Sequence, residues 1–114
     1  MWLVTTRGFY SVVKADGDDD MVMVRARCKK DIDALADLLA GYEAYRTPEA
    51  DYRWKVKVPR TLWAEVCAHL AGEIDYPNFK ARIDQENRHR HYVYVGVWSR
   101  LLLIEDEDGV PTAT

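Results

Sequence analysis

The segment Asp51–Val58 alternates strictly between two kinds of side chain. Its apolar members are Tyr52, Trp54, Val56 and Val58, and its cationic members are Arg53, Lys55 and Lys57. Because side chains on a β-strand point alternately to its two faces, this pattern predicts a half-buried strand with a cationic outer face. Tyr52 and Trp54 are accordingly predicted to point into the core.

A second segment, Met21–Cys28, alternates in the same way, with Arg25 and Arg27 on its polar side. If both strands belong to one sheet, five cations gather on one face: Arg25, Arg27, Arg53, Lys55 and Lys57, with Lys14 as a candidate neighbour. The formal net charge is nevertheless −3. Seven of the nineteen acids lie in two runs, Asp18–Asp20 and Glu105–Asp108. Positive and negative charges are therefore segregated along the chain, and their distribution is more informative than the net charge.

The remaining periodicities predict a two-layer α+β sandwich. Strands are predicted over residues 2–5, 9–14, 21–28 and 51–58, and helices over 29–39, 61–72 and from about Pro77. Residues 88–104 fit both a strand and a helix, and helical spacing is favoured. The element order is thus β-β-β-α-β-α-α, giving a four-stranded mixed or antiparallel sheet with three helices.

Loops and ends are predicted from turn chemistry and charge. Asp16-Gly17 indicates a hairpin turn that Asp18–Asp20 lengthen, and Tyr42–Ala50 reads as a polar loop. Thr61 and Asp75 are the predicted caps of the second and third helices. The chain is expected to form one domain over residues 1–114, with residues 105–114 as an acidic, frayed tail.

Bulk composition indicates the class of protein and its expected cellular location. Hydrophobic residues make up 48% and charged residues 31%, which is ordinary for a globular domain. No apolar run approaches the ~20 residues that span a bilayer, and no secretion signal is recognisable, so we expect a cytoplasmic protein without a membrane partner. Cys28 and Cys67 are expected to remain thiols rather than form a disulfide.

The cationic face is the first candidate binding site. Its five cations and Lys14 could contact phosphates, which is the sequence-independent part of nucleic-acid binding. Single-strand binders add exposed aromatic rings, and Tyr10 is the one candidate ring on this side. The alternatives are a solvated face and a face covered by the acidic tail, a partner subunit or another protein.

A second candidate site lies at the predicted start of the third helix, where backbone N–H groups attract anions. Its residues are Asp75, Tyr76, Asn78 and Lys80. The alternative is that Asp75 caps the helix while Tyr76 and Phe79 pack. His89 and His91 would share a face only in a strand, so no metal site and no cofactor are predicted. No nucleophile motif or phosphate-binding glycine loop is present, which favours a non-enzymatic protein.

Several spaced motifs carry a family resemblance. They are Met1-Trp2-Leu3 with Gly8-Phe9-Tyr10-Ser11-Val12-Val13, then Asp51-Tyr52-Arg53, then Ile74-Asp75-Tyr76-Pro77-Asn78-Phe79-Lys80, and finally Tyr94 with Val97-Trp98. Over about residues 1–100 the chain resembles a group of small proteins of bacterial, notably actinobacterial, genomes, with phages as a further candidate source. That family has no assigned activity, so the resemblance implies no catalytic residue. It does imply a helical final segment and suggests an accessory factor of mobile elements.

Together these patterns predict a small binding or regulatory domain that is not an enzyme. Its expected partner is another protein or a second copy of the chain. Nucleic acid bound by the cationic face is the alternative.

Overall fold

A computed structural model describes residues 1–109 and shows an α+β fold. Its strands are β1 (Trp2–Val4), β2 (Phe9–Ala15), β3 (Asp18–Ala26), β4 (Tyr45–Arg46) and β5 (Trp54–Pro59). Its α-helices are α1 (Lys29–Asp33), α2 (Arg60–Gly72), α3 (Phe79–Glu86) and α4 (Arg88–Leu101), with 3-10 helices at Ala36–Leu38 and Leu102–Asp108. The α+β class is confirmed, whereas the predicted four strands and three helices were too few.

The five strands form one antiparallel sheet in the order β1-β2-β3-β5-β4. The predicted alternative of a mixed sheet is therefore wrong. β4 was missed because it has two residues inside the segment predicted as a polar loop. Strands this short carry no periodicity of their own and exist only through pairing, here with Trp54 and Lys55 of β5.

The hairpin between β2 and β3 turns over two residues, Asp16 and Gly17. Gly17 has a φ of 72°, which a residue without Cβ adopts at low cost, and Ala15 pairs directly with Asp18. Asp18–Asp20 therefore begin β3 rather than lengthen the loop. The three acids remain largely in water because this end of the hairpin is exposed.

The predicted helix over 29–39 is interrupted. α1 ends at Asp33, and the chain continues as a 3-10 helix in which the Leu38 N–H donates to the Leu35 carbonyl at 2.9 Å. The Ala34 carbonyl, which a continuous α-helix would offer to that N–H, instead accepts a 2.6 Å bond from Arg7 Nη1. The side chain of Arg7, which is distant in sequence, therefore binds the backbone at the point where the α-helix ends.

The core lies between one sheet face and the helices α1 and α2. Its members are Tyr10, Val12, Val22, Val24, Ala26, Ile32, Leu35, Leu39, Val56, Val58, Trp63, Val66 and Leu70. The apolar parity of β3 and β5 faces this core, as the alternation predicted. α2 begins after Pro59 without a side-chain cap, so Thr61 does not cap it.

Contacts along the backbone divide the chain into two compact units, Met1–Ile74 and a second that begins at Asp75. In the second unit Asn78 and Asn87 cap α3 and α4 through their side-chain oxygens, so the third helix begins at Phe79 and Asp75 is not its cap. The helical prediction for residues 88–104 is confirmed, with α4 passing into a 3-10 helix at Leu102. Glu105–Asp108 belong to that 3-10 helix, and residues 110–114 of the predicted tail lie outside the described residues. The expectation of a single domain stays a prediction.

Candidate functional site

The sheet face opposite the core, here called the outer face, collects the cations of β3 and β5. Strand register places Trp2, Ser11, Arg25, Lys55 and Tyr45 in one row across all five strands. The next row contains Val13, Met23 and Lys57, and Val4 pairs with Phe9 on the same face. Paired residues of adjacent strands point to the same side, so these side chains share one surface.

Three of the predicted cations, Arg25, Lys55 and Lys57, therefore lie together on the outer face. Arg27 follows the end of β3 and donates to the Asp51 carbonyl at 3.2 Å, and Arg53 is exposed directly before β5. Lys14 does not join them. Register pairs it with Val22, whose side chain is in the core, and its ammonium forms an exposed ion pair with Asp19 at 3.0 Å.

Tyr52 contacts two arginines, Arg25 and Arg27, on this side of the sheet. The guanidinium carbons of Arg25 and Arg27 each lie 4.6 Å from its ring centroid, within cation–π range. Its ring also lies 6.4 Å from that of Phe9, which meets Trp2 edge to face at 5.8 Å. Tyr52 is buried, as predicted, with only 9% of its surface exposed. It does not belong to the main core, however, and packs instead on these side chains of the outer face, because β5 begins only at Trp54 and strand alternation does not extend back to Tyr52.

Arg25 is held by neutral partners. Its Nη2 donates to the Ser11 hydroxyl at 2.6 Å and its Nε to the Ser11 carbonyl at 3.3 Å, and Ser11 is buried beneath it. Within residues 1–109 no carboxylate forms an ion pair with Arg25, with Lys55 or Lys57, or with Arg27 or Arg53 beside the strand ends. The guanidinium is therefore fixed in position while its positive charge remains available to a ligand.

Exposed aromatic rings stand at both ends of the row. Trp2 is 73% exposed and Tyr45 is 46% exposed. Sequence reasoning missed both, because their membership of this face depends on pairing with β2 and β5. The parity of Trp2 and Val4 in a short N-terminal strand was the available signal, but nothing in the sequence shows which neighbour that strand pairs with.

Tyr10, the ring predicted for this face, lies in the core instead. It has no exposed surface, and its hydroxyl donates to the Asp31 carbonyl at 2.8 Å. β2 starts at Phe9, so Tyr10 and Val12 occupy the core parity while Phe9 and Ser11 occupy the outer one. Tyr10 cannot contact a ligand on the outer face.

The second candidate site uses its side chains internally. Asn78 Oδ1 accepts from the Ala81 N–H at 2.9 Å, Asp75 pairs with Arg82 at 2.6 Å, and the Lys80 ammonium lies 3.7 Å from the Trp98 ring centroid. Tyr76 packs against Phe79 with ring centroids 5.7 Å apart. These contacts fit the packing alternative, with Asn78 rather than Asp75 as the cap.

A metal site, a reactive thiol and a membrane-spanning helix have less support in the structure. Nowhere in residues 1–109 do three or more His, Cys, Asp or Glu side chains converge as metal ligands would. Burial raises the pKa of the Cys67 thiol, which reduces its thiolate fraction near neutral pH. In the described part of the chain no helix has the length and apolar character required to cross a membrane.

No protein-family model, curated protein or solved structure matches this chain.

Proposed function

We propose that this chain is a non-enzymatic binding domain whose outer face takes single-stranded nucleic acid. The observation that carries the proposal is the cross-strand row, in which Arg25 and Lys55 lie side by side with an exposed ring, Trp2 or Tyr45, at each end. Cations that follow a sugar–phosphate backbone, together with rings on which bases stack, are the two elements of such binding.

Electrostatics supports an anionic ligand. Arg25, Arg27, Lys55 and Lys57 carry like charges, and none of them forms an ion pair with a carboxylate of residues 1–109, so bound phosphates would relieve their mutual repulsion. Arg25 is already oriented by Ser11 and Tyr52, so little side-chain entropy is lost when it contacts a phosphate. The acidic runs at Asp18–Asp20 and Glu105–Asp108 account for the negative net charge without lying in this row.

The rings favour a single strand over a duplex. In a duplex the base faces are stacked on each other, whereas the bases of a single strand are free to stack on an aromatic side chain. Adjacent strands lie about 4.8 Å apart, so Trp2 and Tyr45, four strand spacings from each other, stand roughly 19 Å apart. That span accommodates several nucleotides across the cations between the rings.

A protein partner is the second candidate. Val4, Val13 and Met23 also lie on the outer face, and the first two are 40% exposed, so the surface offers apolar contact beside its charges. An acidic protein segment would satisfy the same cations. Its complex would resist salt better than a phosphate complex, because apolar contacts are not screened.

Fluorescence anisotropy with labelled single-stranded and duplex oligonucleotides tests the proposal. Four phosphate contacts give a log–log salt slope of about −2.8 on a single strand, or roughly a 50-fold loss of affinity between 50 and 200 mM salt. The double variant Lys55→Gln/Lys57→Gln should weaken binding and reduce the magnitude of the slope by about 1.4. Trp2→Ala should cost about 1–3 kcal/mol in binding with little change in slope.

The matched control is Lys14→Gln/Lys29→Gln, which removes the same charge from two exposed lysines that are paired with Asp19 and Asp33 away from the outer face. It should bind as the unaltered chain does. Equal losses in both double variants would show attraction by net charge alone and contradict the assignment. Absence of oligonucleotide binding, together with a salt-resistant complex recovered with an acidic protein, would favour the second candidate.

A further inference from the structure

The end of the second unit exposes an unusual amount of apolar surface. Eight large apolar side chains between residues 92 and 104 are each 40 to 78% exposed: Tyr92, Val93, Val97, Trp98, Leu101, Leu102, Leu103 and Ile104. We call this stretch the apolar segment. Only Tyr94 of α4 is buried.

The apolar segment has the size of the apolar patches that often mark a functional surface on soluble proteins. A surface helix normally has one apolar stripe facing its own core, but Leu101–Ile104 are four consecutive apolar residues and point in all directions around the axis. Half-exposed rings and aliphatic chains in this number leave about 500 Å² of apolar area uncovered. Two such surfaces together expose about 1,000 Å² of apolar area, and the part that lies on one side of each helix is available to a single partner helix.

Charge at the two ends of the segment identifies the occupant. Arg88 and His89 begin α4, and Glu107 and Asp108 end the 3-10 helix that follows it. An antiparallel copy centred on Trp98 brings residue 88 opposite 108 and residue 89 opposite 107. The distance along the axis from Trp98 to residue 88 is about 15 Å, and the distance from Trp98 to residue 108 is about 18 Å. Because these distances are similar, the opposite charges meet at both ends of the pair. A parallel copy would instead place like charges together.

Backbone shape at the centre agrees with this arrangement. Gly96 lies two residues from the centre of the segment, and apart from its chain neighbours and its own helix backbone no described atom lies within 4 Å of the position where a Cβ would be. A glycine at the crossing point of two helices permits a close approach of their backbones. Asp84 lies 3.9 Å from Arg88 and 3.6 Å from His91 and so offsets part of the positive charge, but the Arg88 side chain is 90% exposed and remains available.

We propose that the chain forms a symmetric homodimer in which the apolar segments of two copies pair antiparallel, with the basic start of each α4 against the acidic end of the other. A two-fold interface of this kind is self-complementary and closed. The proposal rests on the second unit alone and stands whether or not the outer face binds nucleic acid.

Sedimentation velocity of the full chain between about 1 and 100 µM tests the proposal. We expect a dimer that Leu101→Glu converts to a monomer, because a charge would be buried at the interface. Leu101 is 54% exposed in the single chain, so its replacement should leave the circular dichroism spectrum unchanged. The matched control is Ile74→Glu, which puts the same charge on an apolar residue that is 60% exposed and outside the segment, and it should remain dimeric.

A charge swap then tests the orientation. Asp108→Lys should raise the dimer dissociation constant about 10-fold, because two repulsive contacts replace two attractive ones, and adding Arg88→Glu in the same chain should restore it. In a parallel dimer the double swap would leave like charges opposed and restore nothing. A monomer at 100 µM, a dimer that survives Leu101→Glu, or a double swap without restoration would each overturn the proposal.

Discussion

Replacement of Arg7 by methionine tests the most heavily bonded side chain of the first unit. Arg7 lies in the turn between β1 and β2, and its guanidinium contacts the 29–39 segment and the end of α2. Nε and Nη2 donate to Glu73 at 2.8 and 2.6 Å, and Nη1 donates to the Ala34 carbonyl and to Asp37, each at 2.6 Å. One side chain therefore ties together three elements that sequence places far apart.

The magnitude follows from the geometry. The Arg7 side chain is only 18% exposed, whereas Glu73 is 32% and Asp37 is 64% exposed. A bidentate charged pair at the edge of the protein and a charge-assisted bond to a carbonyl each contribute about 1–1.5 kcal/mol. Methionine keeps much of the aliphatic packing, so we expect a loss of about 2–3 kcal/mol. At about 4 °C per kcal/mol for a chain of this size, Tm should fall by roughly 10 °C.

The loss should also depend on pH. Hydrogen bonds from Arg7 hold the pKa of Glu73 below its ordinary value of 4.5, and they lower that of Asp37 as well. A lowered carboxyl pKa contributes stability above the ordinary pKa, and that stability is lost as pH falls through the lowered one. The difference between the parent chain and Arg7→Met should therefore be constant above about pH 5 and shrink in acid.

Thermal and urea unfolding followed by circular dichroism at pH 7 and at pH 3 measure both effects. Lys14→Met is the matched control, because its ion pair with Asp19 joins side chains that are 59 and 87% exposed, and it should change stability by less than about 0.5 kcal/mol. A loss for Arg7→Met as small as that of the control would refute this reasoning. So would a difference that persists undiminished at pH 3.

Two further predictions concern the junction of β2 with α1. Gly8 has a φ of 156°, and a Cβ there would lie 2.7 Å from Asp31 Oδ1, so Gly8→Ala should destabilise the fold by more than about 2 kcal/mol, whereas Gly17→Ala, in open space, should cost about 1 kcal/mol in urea unfolding. Comparable losses for the two would contradict the close approach of Gly8 to Asp31. Tyr10→Phe removes the buried bond to the Asp31 carbonyl and should cost about 1–2 kcal/mol while leaving oligonucleotide affinity unchanged, and a loss of affinity without a loss of stability would return Tyr10 to the binding surface.

Local patterns were sufficient for much of the fold. Alternation in 21–28 and 51–58 correctly assigned Val22, Val24, Val56 and Val58 to the core and Arg25, Lys55 and Lys57 to the outer face. Asp16-Gly17 correctly marked the hairpin, and helical spacing correctly decided residues 88–101. Each of these depends on backbone conformation within a few residues, which side-chain type and period constrain directly.

Other features depended on contacts between segments distant in sequence. α1 ends at the point where Arg7, which lies 27 residues before Ala34, donates to the Ala34 carbonyl. A longer α-helix would use that carbonyl as a backbone acceptor. Tyr52 stacks on Arg25 and Arg27 because β5 starts at Trp54, three residues after the alternating pattern begins at Asp51. Neither the identity of the acceptor nor the start of pairing is encoded in local periodicity.

The outer face shows the division most clearly. The sequence by itself determined that Arg25 and Lys55 belong to strands with a cationic side, because the alternation of a strand is a local property. Only the tertiary structure decided that Trp2, Ser11 and Tyr45 share their row and that Tyr10 does not, because strand order and register arise from pairing across the whole sheet. A shift of one residue in that pairing would exchange the two faces, and it is core packing that selects between them.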